Sequence, residues 1–337
     1  MSVRQFADME FNNLTESWWP IIVAGIIGIL TFIRSYVAGQ DCPCDNRIKN
    51  KTVLITGASS GLGFQTAKEL AKRGGKIILT CRNIEKGTVA KNLIKHEVPT
   101  ACIDVRHLDV SNIANVKHFV SNLNNYNTID ILINNAGIMF HPYEITPEGF
   151  ETHLVTNYLG HFVLTHLLLP KLKASENGRV INITAAAYSS GYVNLNDLNL
   201  KNAGVKNIIQ AFTQSKLALV LMSRYMAKLL KGSRVTINSV NPGLVRNTNH
   251  MNRSPLKTSI PVQLSVWPWM WLFLKTPKQG CQTIIYTAVD PSLTPISGKY
   301  YSNCEAKELS ENCQDEQVDE QLYKLSCSLT KIQPLIN

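Results

Sequence analysis

From Lys51 onward two patterns alternate along the chain. The runs TVLIT (52–56), KIILTC (76–81), CIDVRHLDV (102–110), DILINNAG (130–137), RVINITA (179–185) and VTINSV (235–240) are short and rich in β-branched residues. They predict strands buried on both faces. Between them lie FQTAKELAKRG (64–74), IANVKHFVSNLNN (113–125), a long segment around FETHLVTNYLGHFVLTHLLLPKLK (150–173) and QSKLALVLMSRYMAKLLKG (214–232). Their apolar residues recur at helical spacing beside charged faces. Strand–helix alternation predicts one α/β domain, with a parallel sheet covered on both sides through right-handed crossovers. Ligands of such sheets bind at the carboxyl ends of the strands, near the switch in strand order.

Two apolar stretches stand outside this pattern. WWPIIVAGIIGILTFI (18–33) carries no charge, and RSYVAG extends it to residue 39. That predicts a membrane-spanning helix, with Trp18 and Trp19 at one interface and Tyr36 near the other. The preceding MSVRQFADMEFNNLTES is acidic on balance, which argues against a cleaved signal peptide. Arg34, Arg47, Lys49 and Lys51 follow the segment. The positive-inside rule then puts the main domain (45–337) in the cytosol and residues 1–17, with the sequon Asn13-Leu14-Thr15, in the lumen. The second stretch, LSVWPWMWLFL (264–274), holds three of the five tryptophans and is too short to span a bilayer. Pro268 argues against one straight helix there. A membrane-resting lid and a core helix pair fit it about equally.

Composition changes this picture little. The 337 residues are 45% hydrophobic and 17% charged, which suits a globular domain. The net charge of +10 comes without zinc-finger spacing, an RNP-like aromatic motif or a basic run, so nucleic acid is not implied. Attraction to an anionic membrane surface or a phosphorylated cofactor fits better than nucleic acid, after plain solvated helix faces. The eight cysteines form no CxxC pair and no His cluster completes a metal site, so no metal is expected. Cys42 and Cys44 follow the apolar segment, a position open to palmitoylation, although a plain loop explains them as well.

The strongest chemical signal is TGASSGLG (56–63), which joins the first strand directly to a helix. Gly57 permits a tight turn, while Gly61 and Gly63 let backbone and helix come close. The amides of Ser59, Ser60, Gly61 and Leu62 then face an anion at the positive end of the helix dipole. KIILTC ends at Arg82, where an NAD-specific site would have an acidic residue. An arginine suits a 2′-phosphate, so NADP(H) is expected in preference to NAD(H).

TGASSGLG, NNAG (134–137), SK (215–216) and NPG (241–243), in this order, resemble the short-chain dehydrogenase/reductase family. SKLALVL, LFLKTP, SGKYYSNC and LYKLSCSLTKI resemble its retinol dehydrogenase group. The resemblance implies a Rossmann-type, doubly wound parallel sheet of seven strands in a single domain behind an N-terminal membrane anchor. It implies an NADP(H)-linked enzyme of lipid-like alcohols and carbonyls such as retinoids, at the endoplasmic reticulum. In the family's pattern Asp109 contacts the adenine. Asn135, Ala136 and Gly137 line the cofactor, and Pro242 and Gly243 pass the nicotinamide. The catalytic tetrad falls on Asn157, Ala185, Phe212 and Lys216. A further family threonine falls on Asn247, beside Thr248.

Two tetrad positions depart from the family. Ala185 stands where a serine is expected and Phe212 where a tyrosine is expected. Carbonyl reduction needs an acid to protonate the oxygen and a donor to hold it. Phe212 keeps the ring and loses the acid, and Ala185 loses the second donor. General acid catalysis contributes ~100- to 10,000-fold, and an oxyanion donor ~100- to 1,000-fold. Weak or absent turnover is therefore expected. Such a protein would still bind NADP(H), and a lipid, a second copy of itself or another protein partner at the membrane. The alternative is an active enzyme with a substitute acid, for which Thr184 and Tyr188 are the nearest hydroxyls.

Overall fold

The computed structural model describes residues 18–201, 208–246 and 260–335. The sequon at Asn13, the expected lumenal residues 1–17, and Asn247 and Thr248 lie outside the described residues.

Helix α1 (Trp19–Ala38) is exposed along its length and is long and apolar enough to cross a bilayer. The domain behind it runs β1 (Thr52–Ile55), α2 (Gly61–Lys72), β2 (Lys76–Cys81), α3 (Ile84–Glu97), β3 (Cys102–His107), α4 (Ile113–Ser121) and β4 (Ile131–Asn134). A π-helical turn (Leu154–Leu159) feeds α5 (Gly160–Lys173), β5 (Gly178–Ile183) and a short 3-10 turn (Ala186–Ser190). Then come α6 (Ile208–Leu229), β6 (Val235–Asn241), α7 (Ile260–Phe273), α8 (Pro277–Gly280) and α9 (Gln282–Val289). The hairpin β7 (Tyr300–Ser302) and β8 (Glu305–Lys307) and helix α10 (Glu316–Thr330) follow.

The sheet order is β3-β2-β1-β4-β5-β6-β7-β8. All neighbours are parallel except β7–β8, so the observed sheet has eight strands rather than the expected seven. The added edge strand follows from a two-residue hairpin turn: Asn303 (φ 52°) and Cys304 (φ 59°) both lie in the left-handed region, the requirement of a turn that matches strand twist. Strand order reverses between β1 and β4, which opens the cleft there.

Alternation along the strands sends side chains into two apolar layers. Leu54, Ile78, Leu132 and Val180 face one layer with α4, α5, α6 and α10, while Val53, Ile55, Ile77, Leu79, Ile131 and Ile133 face the other with α2, α3 and α9. Each fully buried aliphatic side chain contributes about 1.5–3 kcal/mol. This two-sided burial is why the strands read as continuous hydrophobic runs. An ion pair from Arg224 Nε to the buried Asp319 Oδ2 (2.5 Å) and a hydrogen bond between Tyr158 Oη and Ser326 Oγ (2.7 Å) lock α10 to this core.

Several boundaries differ from the sequence pattern. β3 ends at His107 and β4 at Asn134, because the residues beyond turn away to build the cleft. Helix α3, capped by Asn83 Oδ1 on the Lys86 amide (2.8 Å), was not legible from periodicity, because only Gly87, Ala90 and Ile94 are buried on it. A single helix runs through Pro268, against the expectation from that proline. The ring removes the hydrogen bond its own amide would have made and crowds the preceding turn, a local cost that does not end the helix. The helix continues past it, with the Leu274 amide donating to Met270 (3.1 Å).

Candidate nucleotide and active site

The Gly-rich turn sits between β1 and α2 with Gly57 at φ 65° and Gly61 at φ 58°. A Cβ on Gly57 would lie 3.0 Å from the Cα of Ala136, and one on Gly63 2.6 Å from the Gly57 carbonyl oxygen. The glycines therefore allow the turn, the NNAG segment and α2 to pack backbone on backbone. No side chain of Ser60 caps the first turn of α2. An anionic group fits this cradle, with the Gly61 and Leu62 amides opening the helix and no carboxylate in its first turn.

Thr56 joins the turn to NNAG. Its buried hydroxyl oxygen accepts the amides of Asn135 and Ala136, both at 2.8 Å. In return Asn135 Nδ2 donates to the carbonyls of Thr56 (2.8 Å) and Gly57 (3.3 Å). Gly137 follows directly. The Ala58 amide donates to the Thr80 carbonyl (3.0 Å), which brings the end of β2 beside the turn. Arg82, two residues further on, is exposed. Asp109 opens the turn after β3, and its Oδ1 accepts from the amide and hydroxyl of Ser111 at 2.9 and 2.6 Å. Pro242 and Gly243 leave the end of β6, where Gly243 (φ 77°) packs against the buried Lys275.

The four tetrad positions converge on the carboxyl ends of β4 and β5. Asn157 Oδ1 accepts from the Ile138 amide (2.8 Å), and its Nδ2 donates to the Ile138 carbonyl (3.1 Å) and to Ser215 Oγ (2.9 Å). Its own helix is bulged into a π-turn there, a distortion common at functional sites. Lys216 is buried, and its Nζ donates to the Ile183 carbonyl (2.9 Å). Desolvation pushes its ammonium pKa down to about 8. Phe212, one helical turn earlier, is also buried, and Lys216 Nζ lies 6.0 Å from its ring centre. Ala185 begins the turn after β5.

The two neighbouring hydroxyls are tied to other parts of the chain, Thr184 as a donor and Tyr188 as an acceptor. Thr184 Oγ1 donates to the Lys216 carbonyl (3.1 Å). Tyr188 is buried, packs on Tyr300 with ring centres 4.9 Å apart, and its hydroxyl oxygen accepts the Ser310 amide (3.2 Å). Asn312 Nδ2 donates to the carbonyls of Tyr188 and Gly191, both at 2.9 Å, so the C-terminal segment pins the Ala186–Ser190 turn.

Sequence reasoning missed Thr56 as a keystone and missed His161 altogether. His161 Nε2 lies 3.0 Å from Thr56 Oγ1 and its Nδ1 lies 3.2 Å from the Asn157 carbonyl. The carbonyl can only accept, so Nδ1 carries the proton and Nε2 accepts from Thr56. Burial pushes its pKa down to about 4, which keeps the ring neutral. A polar chain thus runs from the Gly-rich turn through Thr56 and His161 to Asn157 and Ser215. The signal was present: His161 lies four residues after Asn157 inside TNYLGHF, on the same helix face.

Fold and site together define a nucleotide-binding oxidoreductase scaffold, and the chain belongs to the short-chain dehydrogenase family. The family profile, described as short chain dehydrogenase, matches residues 51–197. The particular likeness is to retinol dehydrogenases. The chain is 38% identical over 316 residues to retinol dehydrogenase 13 of Homo sapiens, covering 93% of this chain and 95% of that protein. It is 40% identical over 301 residues to retinol dehydrogenase 12 of Bos taurus, covering 89% and 92%. Among solved structures, an uncharacterized protein from Mycobacterium paratuberculosis superposes with a TM-score of 0.71 at 30% identity, covering 89% of this chain and all of that one. A short chain dehydrogenase from Shigella flexneri complexed with NADP superposes at 0.60 with 22% identity, covering 78% and 100%.

Proposed function

We propose that this protein binds NADP(H) in the cleft between the Gly-rich turn and NNAG, at the endoplasmic reticulum membrane with its domain in the cytosol. Its oxidoreductase chemistry on lipid-like alcohols or carbonyls is weak or lost. The observation that carries this reading is the local arrangement around Lys216. The buried side chain one turn before it is Phe212, the Thr184 hydroxyl donates its hydrogen bond to the Lys216 carbonyl, and Tyr188 is buried against Tyr300 with its oxygen on the Ser310 amide. Nothing at positions 185 and 212 can hold or protonate a substrate oxygen.

The cofactor, when bound, would supply or accept the hydride. The first turn of α2 and the amides of Gly61 and Leu62 would hold its phosphates, and Asn135, Ala136 and Gly137 would line its path. Arg82, exposed beside the turn, supports a 2′-phosphate. Lys216 would meet the ribose, from a position fixed by the Ile183 carbonyl.

One arrangement favours an active enzyme instead. Lys216 Nζ is buried 6.0 Å from the Phe212 ring centre, at the end of β5, and desolvation lowers its pKa to about 8, so the ammonium could itself donate a proton. The two readings separate by assay of the unmodified full chain against Phe212→Tyr combined with Ala185→Ser, using NADPH with retinaldehyde or a ketosteroid. The impaired reading expects saturable NADPH binding by both proteins and a rise in turnover of at least ~100-fold in the double variant. Equal, robust turnover by the unmodified protein, with a rate falling above pH 8, would establish the second reading and reject the first.

A further inference from the structure

Helix α7 carries no charge and is mostly apolar in sequence, yet the domain leaves most of its described C-terminal half exposed. Trp267 (63% exposed) and Trp271 (39%) lie one turn apart on one side, and Trp269 (60%) and Phe273 (47%) on another, with parallel rings 6.1 Å apart. Of its last turn only Leu272 is buried. A helix apolar all round belongs inside a protein or inside a bilayer. At 14 residues it is ~21 Å long, too short to cross a hydrocarbon core of about 30 Å.

Its neighbour is α1. Arg34, within the last two turns of α1, donates from Nη1 to the Leu274 carbonyl and from Nη2 to Gln279 Oε1, both at 2.8 Å. Its guanidinium carbon stands 5.9 Å from the ring centre of Trp271. Arg34 lies ~22 Å along the helix from Trp19, about 8 Å short of the near boundary of a core about 30 Å thick. A charge at that depth requires partners, and the C-terminal end of α7 supplies one and Gln279 of α8 the other. The next residues lead into the cleft: Lys275 exchanges backbone hydrogen bonds with Leu244 and Arg246, and its side chain packs on Gly243.

We infer that α7 is a second membrane element, inserted into the leaflet on the domain's side with its tryptophans at the headgroup boundary and clamped to α1 by Arg34. The anchor is then no loose tether, and the Gly243 side of the cleft is held against the bilayer, within reach of molecules dissolved in lipid. This rests on the reading that α1 spans a membrane. The opposed alternative is that a second copy of the chain covers α7.

The test uses the full chain in phosphatidylcholine vesicles, with acyl chains brominated near the headgroup or near the chain end. Trp18→Phe with Trp19→Phe leaves only the α7 tryptophans, and Trp267→Phe, Trp269→Phe and Trp271→Phe together leave only those of α1. The α7 set should lose roughly twofold more emission to shallow than to deep bromines, as interfacial tryptophan does. Arg34→Gln should reduce that loss while leaving the α1 set unchanged. Quenching of the α1 set alone would overturn the α7 proposal, including the case where a second copy shields it. Absence of quenching in both sets would overturn the membrane reading beneath it as well. Unaltered α7 quenching in Arg34→Gln would overturn the clamp.

Discussion

Thr56→Val tests whether one hydroxyl holds the nucleotide cleft together. Valine keeps the branching of threonine, so the fully buried site gains no cavity, but its methyl replaces an oxygen that stands 2.8 Å from two amide nitrogens and must be accommodated by a small shift. The larger part of the change is polar. The Asn135 amide loses Thr56 but keeps the Ile133 carbonyl at 3.1 Å. The Ala136 amide and His161 Nε2 keep no partner that the hydroxyl does not provide. Each of the two orphaned groups costs ~1–3 kcal/mol, so the loss should be about 2–6 kcal/mol. At a few degrees per kcal/mol, the unfolding midpoint should fall by roughly 5–15 °C. Near-UV circular dichroism of the full chain in detergent measures it, and a fluorescence titration should find weaker NADPH binding in parallel. Thr56→Ser, which restores the oxygen, should recover most of both. A midpoint for Thr56→Val within about 1 °C of the unmodified protein would refute the keystone role.

Gly57→Ala should lower stability by about 1–3 kcal/mol and weaken NADPH binding, because alanine at φ 65° is strained and its Cβ meets Ala136. Thermal unfolding and titration check it. Acid should destabilise the fold between pH 6.5 and 4: burial holds His161 and His166 at about 4, so the unfolded chain binds protons that the folded one refuses. Each histidine accounts for up to about 3 kcal/mol of stability, fully present above pH 6.5 and lost as pH falls to 4. Denaturant midpoints across pH should flatten in His161→Gln. Asn312→Ala removes three hydrogen bonds to the turn after β5 and should cost about 1–3 kcal/mol, read as faster amide exchange at Ala186–Gly191.

Features that depend on local periodicity and on residues close in the chain were legible in the sequence alone. Two-sided burial makes β1, β2, β4, β5 and β6 plain as hydrophobic runs, and the Gly-rich turn is a βα junction within eight residues. The apolar α1 and the absence of a hydroxyl at positions 185 and 212 are equally local facts. The tertiary structure decided what depends on neighbours far away in sequence. Strands β7 and β8 are three residues each, too short for any period, and exist because β6 offers β7 an edge. The commitment of Tyr188 to Ser310 spans 122 residues, and the clamp from Arg34 to Leu274 spans 240. Such pairings are set by how layers stack on a sheet, and a linear pattern carries no record of which distant backbone group a side chain will meet.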